Sequence, residues 1–461
     1  FVIITGVVGM TEVNGKTFKV ADKTTNTFEL QDVDGTDINS SGYTAYSSGG
    51  VANKIYQITT EYTTAQLFDL KFAQSADVMY ICHESHAVRK LSRTGHTSWT
   101  LTEVEFTDGP YLDSNTTSVT MTPAATSGVA ISLNASGATF VSSDVGRLIN
   151  FSNGYGKIVS FTSDTNVHID IEDDFDNTNA VTDWKLGAFS TVTGHPSCVS
   201  FFEQRLVFAG TTNEPQTLYF SKSGDYENMT VGTNADDAMV YTIASNQVNA
   251  IRYLKAVRTL IVGTSGGEWT VSADGTDAAV TPSNVTIKKQ SSYGSSNIDA
   301  VSIGNATMFV QRAKRKVREL VYNYDTDGFI APDTTILAEH ITDSGITEMS
   351  YHQEPQSILW CVRTDGVLIG LTYARNEQVV GWHRHIFGGA FGSGNAIVES
   401  VATIPGDLNE DVTYVVVKRT INGATRRYVE YLQPVDYGSD LTTAFFVDSG
   451  LTYNGGATTT I

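Results

Sequence analysis

Cysteine, positive charge, long apolar runs and helical periodicity are all scarce in this chain, and each scarcity removes a class of explanation. Only three cysteines occur in 461 residues: Cys82, Cys198 and Cys361. An odd, widely spaced set is neither a disulfide framework nor a metal cluster. Cys82 in VMYICH and Cys361 in ILWCVR fall inside apolar, strand-like runs, which predicts buried free thiols. Thirty Lys and Arg face fifty Asp and Glu, for a net charge of −20. Such a chain does not coat nucleic acid by neutralising phosphates. An acidic wall is still compatible with DNA sliding past without adhesion, although plain solubility explains the same charge. No apolar stretch approaches the roughly 20 residues a bilayer-spanning helix needs. The opening FVIITGVVGM lacks a basic flank and a cleavage site, so it is not read as a signal peptide. It opens without Met inside a strand-like run, as the ordered part of a longer polypeptide would.

No long run places apolar residues at i, i+3, i+4 and i+7, which argues against helices. What is present is turn and strand chemistry: 40 Gly, only 17 % charged residues, and abundant Thr, Ser, Val and Asp. Many short strands separated by many turns follow, and the fold class is all-β.

The chain also repeats. Short β-rich runs recur at 77–83, 204–210, 258–264, 307–313, 357–363 and 411–418, and the last five start 54, 49, 50 and 54 residues apart. Each is preceded by another strand-like run (66–73, 198–202, 248–254, 298–304, 346–352, 397–404). Each is followed, across a polar turn, by a third (88–93, 216–223, 268–274, 317–323, 367–374, 427–433). A fourth reads at 99–106, 238–244, 285–290, 334–340, 381–387 and 444–450. Four antiparallel strands every ~40–50 residues mark β-propeller blades, since short turns forbid parallel crossovers. Six units would close a ring with few exposed edges. An array of two-sheet sandwiches is the competing arrangement.

The spacing predicts a small β module over 1–55, a first blade over 56–110, an inserted β-barrel or sandwich over 111–192, and the remaining blades over 193–435. Residues 436–461 are expected to complete the ring or a platform. A domain inserted at a loop leaves the host scaffold's hydrogen bonding intact.

The stretch TGHPSCVSFFEQRLVFAGTTNEPQTLYFSKSGDYENM (193–229), with Ser223, Gly224, Asp225 and Tyr226 after the polar turn, resembles the tail nozzle proteins of short-tailed bacteriophages, also called tail tubular protein B. AQSADVMYICHESHAVRKLSR (73–93) and GWHRHIFGG (381–389) look like further landmarks of that family. Residues 5–50 are similar to a small β module of phage structural proteins that is labelled after a half-domain of ubiquitin-activating enzymes. That label implies no ubiquitin chemistry. The resemblance, pattern-level outside 193–229, implies a distorted propeller and six copies in a ring in the virion tail, assembled in the bacterial cytoplasm. It further implies an adaptor protein above, fibres or spikes at the side, and non-specific passage of double-stranded DNA. The alternative is a receptor-binding or polysaccharide-degrading tail protein, and a third reading is a cellular propeller scaffold.

Local chemistry gives little support to an enzyme. His383 and His385 would share one strand face, but two histidines fall short of a metal set. His83, Glu84 and His86 in CHESH fit a polar turn. Asp32, Asp34 and Asp37 have the wrong spacing for a calcium loop, with Gly35 at the fourth position, and read as an Asp-Gly turn. No nucleophile triad or phosphate loop stands out, so no catalytic residue, cofactor or metal is expected.

Two charged clusters remain as candidates for a subunit interface or channel. Glu172, Asp173, Asp174 and Asp176 pack four carboxylates into five positions and read as a solvated loop, a channel or interface surface, or a glycosidase pair. Arg312, Lys314, Arg315, Lys316 and Arg318 are the strongest local departure from the acidity. Their centre falls at a turn between two strands, where long cations can reach solvent, a neighbouring subunit or DNA. Phe201, Phe202, Phe208, Trp269, Phe309 and Trp360 are read as blade cores.

Overall fold

The computed structural model describes residues 1–275, 278–406 and 409–433, and among them every regular element is a β-strand or a short 3₁₀ turn. The expected strand at 444–450 and the segment 436–461 lie outside the described residues. Contacts group the chain into two compact units. One comprises 1–64, 76–78 and 90–102, and the other 65–75, 79–89 and the chain from 103 onward.

Within the first unit, Glu29–Gln31, Thr17–Ala21, Val2–Val8 and Ser48–Lys54 form an antiparallel sheet in that order. Its small core is Val2, Ile4, Val13 and Phe18. Strand alternation puts Val2 and Ile4 on one face, and Val13 reaches the same core from a 3₁₀ turn.

The repeats are blades of a six-bladed β-propeller. Five four-stranded sheets, each in simple chain order, comprise Lys71–Ser75 to Ser98–Glu103, Cys198–Phe202 to Met239–Thr242, Ile251–Ala256 to Thr286–Ser291, Val301–Ile303 to Gly328–Ile330, and Ile346–His352 to Val379–His385. The sixth has three strands among the described residues: Ile397–Pro405, Asp411–Ile421 and Ala424–Tyr431. First strands of successive blades lie beside one another: first against second, second against third, fourth against fifth, fifth against sixth. The cores therefore sit between blades. One joins Val207, Leu218 and Phe220 of the second blade to Leu260, Val262 and Val271 of the third. Others join the third to the fourth, the fourth to the fifth and the fifth to the sixth. A blade is thus apolar on both faces, which is why its middle strand reads as a continuous apolar run such as Arg205–Ala209, buried at every position.

Between the first and second blades the chain builds a separate six-stranded antiparallel sheet, from Met121–Pro123 to Trp184–Leu186. It curls until Met121 exchanges both backbone hydrogen bonds with Val181, just ahead of the strand on the opposite edge. Met121, Leu133, Phe140, Ile149, Phe151, Ile158, Val167 and Ile169 fill the inside. Chain leaving and chain returning are zipped together: the Leu112 amide donates to Leu186 and the Ala188 amide to Pro110, at 2.9 and 2.8 Å. Buried Arg147 closes the neck, bonding Asp144 and the Gly187 carbonyl at 2.9 and 2.7 Å.

One strand expectation fails. The run 334–340 is not the fourth strand of the fourth blade; Gly328–Ile330 is. Asp333 accepts from the amide and the hydroxyl of Thr335, and the Ala338 amide donates to Thr335, which turns the chain instead of extending it. The β-branched pair Thr334–Thr335 thus serves a turn, through local side-chain hydrogen bonds that compete with a ladder.

Candidate interaction surface

The basic cluster begins where the pairing of Val310 with Val317 ends. The Gln311 amide donates to Lys316 and the Lys314 amide to Gln311, at 2.8 and 2.7 Å, with Lys314 in the left-handed region at φ 64°. Neighbouring segments lock this turn from outside. The Arg312 amide donates to Gly294, the Ile346 amide to Lys314, and the Thr342 hydroxyl to the Arg315 carbonyl, all within 2.9 Å.

The five cations then divide. Arg312, Lys314 and Arg315 are exposed, and among the described residues their side chains have no partner. Lys316 is held by Asp333 at 2.7 Å and Glu339 at 3.3 Å, and these bonds raise its ammonium above the usual lysine value. Arg318 donates to Gln311 and to the Ala331 carbonyl, and lies 3.5 Å over the Tyr293 ring. So three of the five cations are exposed at the turn, and two are held within the chain. The acids and the ring that claim the other two arrive from elsewhere in the chain.

The acidic run is not wholly a loop either. Glu172 and Asp173 finish the strand Asn166–Asp173, because Tyr155 pairs with Asp173 across the sheet. Phe175 turns inward and stacks on Phe151 at 4.1 Å, which leaves Asp174 and Asp176 exposed beside it. Asn153 donates to Asp176 at 2.6 Å. The Tyr155 phenol is pushed up by burial and then by the negative charges of Glu172, Asp108 and Asp173.

The histidines behave as strand alternation requires. His383 and His385 share a face, their nearest ring nitrogens 2.9 Å apart, with Trp360 edge-on to both. His83 is buried next to His86 at the turn between two strands of the first blade. Asp32 caps its turn by accepting from the amides of Asp34 and Thr36, with Gly35 at φ 87°. Among the described residues no group of three His, Cys, Asp or Glu could hold a metal ion. All three cysteines are buried and free, and burial pushes the Cys198 thiol up to about 11. Phe202, Phe208, Phe309 and Trp360 are buried as expected, whereas Phe201 and Trp269 are half-buried.

Sequence reasoning missed two neighbours of these clusters. The exposed pair Ile336–Leu337 stands beside the basic turn, and an open cleft of about 500 Å³ stands beside the acidic run. A hydropathy reading could flag the first only as a strand. The second depends on segments far apart in sequence and leaves no signal.

The Ubiquitin-activating enzyme E1 FCCH domain family model matches residues 1–55. No curated protein matches the sequence. Similar solved structures include an auxiliary nutrient binding protein from Bacteroides thetaiotaomicron, at 9 % identity and TM-score 0.30, covering 70 % of this chain and 86 % of that one. The Neurospora crassa Pan2 WD40 domain is 7 % identical with TM-score 0.30, covering 75 % and 84 %. A protein from Lactobacillus plantarum is 11 % identical with TM-score 0.30, covering 78 % and 96 %. Such low scores decide nothing about this chain, and the propeller stands on its own strand order. Among the described residues no helix is long and apolar enough to cross a membrane.

Proposed function

We propose that this chain is a protomer of a hexameric nozzle at the tail of a short-tailed bacteriophage. It is a structural part of the virion through which double-stranded DNA passes, below an adaptor protein and flanked by fibres or spikes. The observation that carries this reading is the segment 193–229, which holds the family-like residues. Its strands Cys198–Phe202, Arg205–Ala209 and Thr217–Phe220 form most of one blade. Its Ser-Gly-Asp-Tyr turn is bonded into that blade, the Gly224 amide to Gln204 and the Ser223 amide to Asp236. The interruption of the propeller after its first blade and the small β module at 1–55 also fit what the resemblance implies.

The work of such a part is mechanical. It retains packaged DNA and then lets it go by rearrangement of loops and subunits, with no bond made or broken. A net charge of −20 per copy suits a wall past which a polyanion slides.

A cryo-electron microscopy reconstruction of the virion tail tests this. Six copies of the chain around a duplex-wide channel, under the adaptor, is the expected result. Peripheral trimers or fibres would overturn it and move the function to host-surface binding or sugar degradation. Release of reducing ends from host polysaccharide would then separate those two.

A further inference from the structure

Ile336 and Leu337 are 67 % and 92 % exposed, although both neighbours in the chain are fixed. Thr335 and Ala338 are buried, the Thr334 amide donates to Val317, and the Ile341 amide donates to Ala338. Two adjacent aliphatic side chains are therefore held in water by an ordered turn. Among the exposed apolar residues described, Leu337 has the largest exposed fraction. The same turn adjoins the basic one: Asp333 and Glu339, on either side of the pair, both hold Lys316, and Thr342 bonds Arg315. The result is an apolar tip flanked by the three unpartnered cations Arg312, Lys314 and Arg315.

Elsewhere on the same compact unit lies a surface of opposite character. The cleft of about 500 Å³ has Phe151, Val181 and Val231 on its walls and Asp108 and Asp183 at its rim, with Lys185 as its one cation. Asp108 is fixed by bonds from Tyr111 and Asn150, at 3.0 and 3.2 Å. The acidic run borders it, since Asn153 on the wall bonds Asp176 and the next strand pairs Tyr155 with Asp173. Asp108 and Asp183 thus line an opening that Asp173 and Asp176 border.

We propose that the Ile336–Leu337 tip with its three cations docks into the acidic cleft of a second copy of this chain. The inference rests on the reading of the chain as a ring protomer and names the contact between its copies. Charge complementarity selects the occupant: between protomers of net charge −20, the exposed cations Arg312, Lys314 and Arg315 are attracted to a surface that gathers carboxylates. Tip and cleft are different surfaces of one chain, so the contact is head-to-tail and closes into a ring where the rotation permits.

The test reverses each surface in the full-length chain and measures assembly by mass photometry. One variant carries Arg312→Glu, Lys314→Glu and Arg315→Glu; the other carries Glu172→Lys, Asp173→Lys and Asp174→Lys. Each alone has like charge on both surfaces and is expected to lose at least tenfold in assembled fraction. Mixed, they alternate with opposite charges at every contact, and assembly is expected to return. A mixture that stays dispersed while the wild type assembles overturns the docking and leaves the ring reading standing. A wild type that is monomeric at all concentrations overturns both. Should a triple variant fail to fold, Leu337→Cys with Val231→Cys decides instead. Oxidation is expected to link copies covalently, because the three native thiols are buried. Absence of linkage in an assembled wild-type background overturns the proposal.

Discussion

Arg205 is 2 % exposed, yet it carries a guanidinium into the middle of the second blade. It donates to the carbonyls of Ser221, Asp236, Asp237 and Ala235 at 2.6–3.3 Å, tying the strand Arg205–Ala209 to the loop that follows the next strand. These carbonyls lie on irregular backbone that a β-ladder cannot satisfy, and buried acceptors left unpaired are costly. Arg205→Ala is expected to destabilise the chain by about 3 kcal/mol, from the stranded acceptors and the space left behind. Thermal and urea unfolding measure this, and a change below about 0.5 kcal/mol would mean that water replaces the guanidinium at no loss. Arg205→Lys should recover little, because a point ammonium cannot span the acceptors as a planar fork does. In the sequence, Arg205 opens a strand-like apolar run with no sign of its partners, which come from as far as position 237.

At the scale of elements, the strand Val379–His385 shows how periodicity and packing combine. Alternation puts His383 and His385 on one face, and the facing strand supplies Gly370 opposite His383. A Cβ there would lie 2.3 Å from the imidazole, so the glycine makes the room the ring occupies. Burial first, and His385 second, hold the His383 imidazole below its ordinary value of 6.5. Burial and His86 do the same for His83. As pH falls through about 6.5 the unfolded chain takes up these protons first, so stability is intact above that pH and declines below it towards the folded values. The urea midpoint should drop between pH 7 and pH 5, and His383→Asn with His385→Asn should flatten part of that slope. An unchanged slope in the double variant would remove this strand from the pH response. The fourth strand of the fourth blade makes the opposite point. Residues 334–340 have the composition of a strand, but the Asp333 and Thr335 side chains spend it on a turn, and Gly328–Ile330 takes the ladder.

For the whole molecule, the inserted sheet is a separable load on the propeller. Its core is its own, and the chain leaves and returns through a neck closed by the Leu112–Leu186 and Ala188–Pro110 bonds. Phe106 and Phe189, one on each side of the neck, pack edge-on against each other and against Phe208 of the second blade. Replacing residues 113–185 by a short Gly-Ser link should leave the blades folded, with strand-type circular dichroism and a single cooperative transition. Aggregation of the shortened chain with exposed apolar dye-binding surface would show that the propeller depends on the insert. The same deletion removes the carboxylates of 172–176 and the cleft beside them, so it should also abolish assembly of copies if those contacts form the ring.

What the sequence determined by itself is what local chemistry controls. Turn residues and short apolar runs dictate strands, their spacing dictates four-stranded repeats, and the break in that spacing marks an inserted sheet; observed middle strands begin at Val78, Arg205, Leu260, Ala306, Ile358 and Asp411. Pairing of neighbouring strands needs only short turns, so it is written nearly in linear order. The tertiary structure alone decided which charges are free. Lys316 and Arg318 look the same as Arg312 and Lys314 in sequence, but Asp333, Glu339 and Tyr293 reach the first two and none of the others. It also decided that Ile336 and Leu337 face water and that carboxylates gather round a cleft built from four separate segments. Such features depend on contacts between blades and between sheets, where partner choice is set by packing in three dimensions and leaves no period for a linear pattern to carry.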